Sequence, residues 1–201
     1  MKEINLPLTQ TFAAAIDLHN IKQEQLVDLG NGQMGVSFGQ LVNDEISHNM
    51  VQARKNGGEI LYATTSIEQQ IEGILLVYFM GEIVGPNSKR ELFEREVLQS
   101  TALSLSAKKD LLSKIVNEEN LIKRKVKDKL QKQLKDILTW RNAFAHGKIE
   151  HNTSIGCLLK YYSGSIKKLE LNDEFWGLVE GTFTECSANL KEIKGKLESN
   201  A

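Results

Sequence analysis

The stretch TWRNAFAHGKIEH, residues 139–151, gathers the side chains best suited to chemistry: Arg141, Asn142, His146 and His151. A guanidinium is a permanent cation whose planar fork matches a phosphate or a carboxylate, and an imidazole moves protons near neutral pH. Asn142 and His146 are four residues apart, so on a helix they share one flank, where the amide can contact or orient the ring. Arg141 and His146 are five apart, about 140° around an ideal helix. Both reach one ligand only where the helix end protrudes into a groove or its last turn unwinds, which points to a site between subunits.

Stepping through Val126, Leu130, Leu134, Ile137 and Leu138 leads the expected inward face to Arg141 and then Ala145. An uncompensated charge in that setting costs several kcal/mol. Arg141 is therefore expected to meet either a carboxylate from another helix, with Glu68, Glu72 and Glu82 as candidates, or a phosphate ligand. Arg, His and Gly also suit an ordinary helix C-terminus, cations facing the negative end of the dipole and Gly147 closing the turn as a C′ residue at positive φ. His151, beyond Gly147, reads as a loop residue, and His19 and His48 have no neighbours that suggest chemistry.

The same helical pattern carries Lys123, Arg124, Lys125, Lys127, Lys129, Lys132 and Lys135 against the single acid Asp128, a local charge of +6. A helix surface of that density either is a solvated face or attracts phosphates through counterion release without sequence preference. A second candidate fails on context. Gly30, Gly32 and Gly35 fit G-x-G-x-x-G, but neither a convincing strand before them nor a helix after them supports a dinucleotide site, and a loop is expected.

The elements that must position these residues are helices. SIEQQIEGILLVYFMGE predicts a central helix from Ser66, its N-cap, to a stop at Gly81; a second runs over about Lys89–Gln99 with Leu92, Phe93, Val97 and Leu98 inward. A third follows Ser106 and buries Leu111, Leu112, Ile115 and Val116. The fourth starts after Asn120 and ends at Gly147, close to 40 Å of helix. CLLKYY and SIKKLEL, parted by Ser163-Gly164, predict a small β-hairpin, and the last helix from near Asp173 carries the stripe Phe175, Val179, Phe183, Cys186, Leu190, Ile193 and Leu197. Residues 38–53 show helical periodicity and GEILYAT, 58–64, suits a short strand. The expected organisation is mainly α: residues 66–201 form an up-and-down helical bundle with a small β-hairpin before the last helix, and residues 1–65 form an N-terminal extension packed on it.

Composition sets the frame. With 201 residues, 41% hydrophobic, 25% charged and two prolines, the chain is expected to be a helix-rich globular protein of one main core. A net charge of −1 leaves any role with polyanions to a local patch. Cys157 and Cys186 are unclustered and lack metal-ligand spacing; no metal and no cofactor is expected. The N-terminus lacks a signal-peptide pattern and the apolar run at 74–80 is far short of the roughly 20 residues that span a bilayer, which makes the expected location cytoplasmic, with no membrane partner.

Arg141-Asn142-Ala143-Phe144-Ala145-His146 resembles the Arg-x4-6-His motif of the HEPN superfamily, including the polar residue after the arginine and the AHG ending. The likeness extends to the layout from about Ser66 onward, a bundle with the motif at the end of a long late helix and one helix after it. The resemblance implies a metal-independent endoribonuclease, a toxin or antiviral effector, acting as a homodimer with two motifs facing each other, alongside an antitoxin or regulatory partner. It implies that Arg141 binds the scissile phosphate, His146 serves as general base or acid, and Asn142 positions either. Non-catalytic relatives imply the alternative, a helical dimer that binds RNA, a nucleotide or a protein.

Overall fold

The computed structural model describes residues 26–28, 34–36, 44–81, 87–101, 103–152 and 155–200. Two compact units divide the chain, Met1–Asn43 and Asp44–Ala201. In the first, β1 (Leu26–Asp28) pairs antiparallel with β2 (Met34–Val36). Gly35 lies in β2, in an antiparallel pair and not in a strand-to-helix turn; Gly30, Gly32 and His19 lie outside the described residues.

The second unit begins with α1 (Asp44–Met80), 37 residues long. The boundary expected at residue 65 falls inside this helix, as do the strand expected at 58–64 and the N-cap expected at Ser66. Ala53, Ile60, Ile67, Ile71 and Ile74 keep one inward phase across the whole span, so burial along a single face overrides the β-branched and glycine residues that suggested a break. Gly81 ends the helix at φ +68, its N–H donating to the Val77 carbonyl at 2.8 Å. Glu82 lies outside the described residues.

A short α2 (Ser88–Phe93) is capped by Asn87, whose side-chain oxygen accepts from the N–H groups of Lys89 and Arg90. It runs into a π-helical turn, Glu94–Leu98. That turn changes the helical phase: Leu98 is fully buried, whereas Leu92 and Val97, expected inward, are exposed. Next come α3 (Leu105–Glu118), capped by Ser104, and α4 (Arg124–His146). The expected hairpin is β4 and β5 of a three-stranded antiparallel sheet, β3 (Lys148–Asn152), β4 (Gly156–Tyr162) and β5 (Ile166–Glu170), in the order β3-β4-β5. α5 (Asp173–Asn200) completes the unit, with the Asn172 side chain accepting from Phe175 N–H at 2.8 Å.

Gly57 of α1 meets Phe144 of α4, Gln70 of α1 hydrogen-bonds Ser187 of α5, and Lys196 of α5 reaches the Leu121 carbonyl before α4. α4 thus runs antiparallel to α1 and α5, and the bundle is up-and-down. The core joins α1, α3, α4 and α5 to the inner face of the sheet through Cys157 and Leu159, with Ile149 and Leu169 packed beside them. Each fully buried Leu or Ile in it contributes roughly 1.5–3 kcal/mol. No helix among the described residues is long and apolar enough to cross a membrane.

Candidate functional site

The end of α4 is held on three sides. Leu130, Gln133, Leu134, Ile137, Trp140 and Ala143 form its buried face. The inward path thus turns at Trp140 and not at Arg141, because an indole gains from the core what a guanidinium would lose. Trp140 meets Phe175 edge-on with ring centroids 5.9 Å apart, and Phe144 lies against Phe175 and Trp176 at 6.5 and 5.9 Å. Beneath Phe144 sits Gly57: a Cβ there would come within 2.5 Å of the ring. The sequence signal for this contact is the Gly57-Gly58 pair inside a helical pattern, which costs about 1 kcal/mol per glycine unless packing requires it.

Gly147 closes α4 differently from expectation. Its φ is −88 and its ψ 172, an extended conformation open to any residue. The reason for glycine is space: a Cβ would lie 2.3 Å from the Ala143 carbonyl oxygen, 2.8 Å from Leu159 Cδ1 and 3.0 Å from the Lys160 carbonyl oxygen. Its N–H donates to Ala143 O at 2.7 Å, and β3 starts at the next residue.

These clamps present Arg141, Asn142, Ala145 and His146 to solvent. Arg141, expected to be partly buried, is exposed, and Nη1 donates to Asn142 Oδ1 at 2.9 Å. No carboxylate among the described residues pairs with it. Glu68 and Glu72 instead hold Lys108 of α3, a buried lysine that periodicity alone does not single out. Its Nζ lies 2.5 Å from Glu72 Oε1 and also bonds Glu68. Burial pulls the Lys108 pKa down, but the hydrogen bonds and charges of the two glutamates more than offset this and raise it.

The seven cations of the basic run separate into two groups. Lys127 donates to Asn117 Oδ1 at 2.6 Å, Lys129 pairs with Glu185 at 2.5 Å, and Arg124 lies 4.0 Å from Asp128. Lys123, Lys125, Lys132 and Lys135 are exposed. Lys132, Lys135, Thr139, Asn142 and His146 follow one another in steps of three, four, three and four, a single outward face that leads to the motif. Lys123, Arg124 and Lys125 sit at the opposite end of α4, about 30 Å from His146. His151, expected in a loop, lies in β3 opposite Cys157 and faces the core side of the sheet with Ile149.

A helical bundle with an Arg-x4-His pair exposed at the end of its penultimate helix has the design of a HEPN domain. Residues 60–170, more than half of the chain, match the RiboL-PSP-HEPN family model, and the chain belongs to that family. The matched span contains Arg141, Asn142 and His146. No curated protein and no solved structure matches the chain significantly.

Proposed function

We propose that this protein is an endoribonuclease of the HEPN type that cleaves RNA by transesterification at a composite site formed by two copies of the chain. The observation that carries this reading is the state of Arg141: exposed at a rigidly packed helix end and, among the described residues, bonded to a neutral amide and to no carboxylate, so its charge is available to an anion. RNA supplies its own nucleophile. The 2′-hydroxyl attacks the adjacent phosphorus, a P–O bond forms, the bond to the 5′-oxygen breaks, and the products are a 2′,3′-cyclic phosphate and a 5′-hydroxyl. His146 takes the 2′-hydroxyl proton or gives one to the leaving oxygen, and Arg141 stabilises the charge that builds on the phosphoryl oxygens. Asn142 holds the guanidinium at the edge of His146's flank.

Arg141 and His146 diverge by about 140° on the helix, and one motif holds one histidine for two proton transfers. A second copy, facing the first, supplies the other arginine and histidine. Lys132 and Lys135 draw the substrate along the outward face. A toxin or antiviral effector held in check by an antitoxin or other partner is the setting this activity fits. The same divergence supports the second reading, a non-catalytic dimer that binds RNA, a nucleotide or a protein.

The test is cleavage of end-labelled single-stranded RNA in EDTA by wild type, Arg141→Ala and His146→Ala. Expected are cyclic-phosphate ends with wild type and a rate loss of about 10²-fold or more in each variant. Intact RNA after incubation with folded, dimeric wild type on several substrates defeats the nuclease and leaves the binding module.

A further inference from the structure

The outer face of the sheet carries a feature that the motif does not use. Strand register sets Lys148 opposite Lys160 and Lys160 opposite Lys168, so three lysines form one row across β3, β4 and β5. Neighbouring strands are about 4.8 Å apart, and the row spans about 10 Å. Like charges directly opposite one another destabilise a sheet in the free protein, a cost that a bound polyanion removes.

The row has different neighbours on its two sides. One step toward the β4–β5 turn, Tyr162 lies opposite Ile166, and both are largely exposed, at 76% and 66%. One step the other way lie Glu150, Leu158 and Glu170, with Glu150 3.6 Å from Lys148. Polarity along the sheet is fixed by chain direction: Lys148 opens β3 two residues after His146, with Cα atoms at most about 7 Å apart. The cations and the exposed tyrosine therefore occupy the end of the sheet nearest the motif, and the acids lie farther away. Ile149, Leu159 and Leu169 point to the opposite, core-facing side, while Leu158, beside Lys160 on the lysine face, is itself buried.

We propose that this face is a platform for single-stranded RNA beside the scissile bond, with Lys148, Lys160 and Lys168 on consecutive phosphates and a base stacked on Tyr162. The assignment rests on the RNA reading above and extends it to the substrate's form. A stacking aromatic needs an unpaired base with a free face, which a duplex withholds. Ile166 widens the apolar shelf under that base, and Lys132 and Lys135 continue the phosphate path on the far side of His146.

The experiment is equilibrium binding of a labelled single-stranded RNA and of its fully paired duplex, over a salt series, in full-length His146→Ala protein so that the RNA stays intact. The variants are Lys160→Gln/Lys168→Gln, Tyr162→Ala, Tyr162→Phe, and Lys191→Gln on the exposed face of α5 as control, each checked for an unchanged melting temperature. Expected are tighter binding of the single strand and a slope of log K against log salt that is shallower by about 1.4 in the double lysine variant. Tyr162→Ala weakens binding about fivefold or more, while Tyr162→Phe and Lys191→Gln bind as the parent does. Equal binding by all variants, with the parent binding RNA, overturns the platform and spares the RNA reading. A folded parent that binds neither RNA form overturns both.

Discussion

Gly57 and Phe144 occupy each other's space: the glycine of α1 lacks the one atom that would lie 2.5 Å from Cδ1 of the ring. The contact ties the middle of α1 to the motif, since Phe144 stands between Arg141 and His146. Gly57→Ala gains helix propensity, about 1 kcal/mol, but overpacks the ring at a cost of about 1–3 kcal/mol. The neighbouring Gly58 has open space around its Cβ position and faces solvent. Gly57→Ala is expected to lower stability and shift the motif, whereas Gly58→Ala raises stability by about 0.5–1 kcal/mol. Urea unfolding of both variants checks the opposite signs.

The buried Lys108 gives a second prediction. Its side chain is 3% exposed and stands between two carboxylates, so Lys108→Met leaves Glu68 and Glu72 without their cation and is expected to cost roughly 3–5 kcal/mol. Adding Glu68→Gln and Glu72→Gln removes the uncompensated charge and recovers most of the loss. The pH dependence has one sign. Because the folded protein raises the lysine pKa, the stabilisation is complete below the unfolded value near 10.4 and is lost as pH rises through the folded one. Wild type minus Lys108→Met, measured by denaturant midpoint, should shrink in that alkaline window. A difference that is flat with pH would show that packing, not charge, is what Lys108 supplies.

Where the sequence was legible, the signal was periodicity with a clear terminator. Gly81 as the stop of α1, the stripe from Phe175 to Leu197, and Leu112, Ile115 and Val116 of α3 all follow from spacing alone. Phe183, part of that stripe, is only partly buried, because Thr182 turns inward beside it. The position of Arg141 was not legible, since a helix at 100° per residue leaves residues 140 and 141 nearly equivalent to the pattern, and only the size of the indole decides. β3 was hidden because KIEHN has a single apolar residue, and its inward side chains, Ile149 and His151, are covered only once the strand pairs with β4. Gly147 shows a right residue with a wrong reason: contact with Ala143 and Leu159, not positive φ, excludes a side chain there.

The two cysteines predict a chemical silence. Cys186 is fully buried, and desolvation pushes its thiol up to about 12; burial raises Cys157 as well. At pH 8 the thiolate fraction of Cys186 is on the order of one in ten thousand, and no reagent reaches it without an opening of the α1–α5 core. Native protein is expected to leave both thiols unmodified by a chromogenic disulfide reagent over minutes, and to release two equivalents at once in denaturant. Rapid modification of Cys186 in native protein would mean that α5 detaches readily from the bundle.

Asn142 offers the sharpest test of how Arg141 is used. The amide oxygen holds Nη1 at 2.9 Å without neutralising the guanidinium. Asn142→Asp keeps the shape and places a carboxylate at the same spot, converting the contact into a charge-assisted pair that competes with phosphate. Asn142→Ala removes the tether and leaves the charge. If Arg141 serves the scissile phosphate, the aspartate variant loses about tenfold or more in RNA cleavage relative to the alanine variant, and Asn142→Asp loses affinity for RNA as well. Both are surface substitutions beside a well-packed helix end, so melting temperatures should move little. If instead the alanine variant is the more impaired of the two, Asn142 acts on the imidazole of His146, four residues on, and the availability of the Arg141 charge is not what governs the rate.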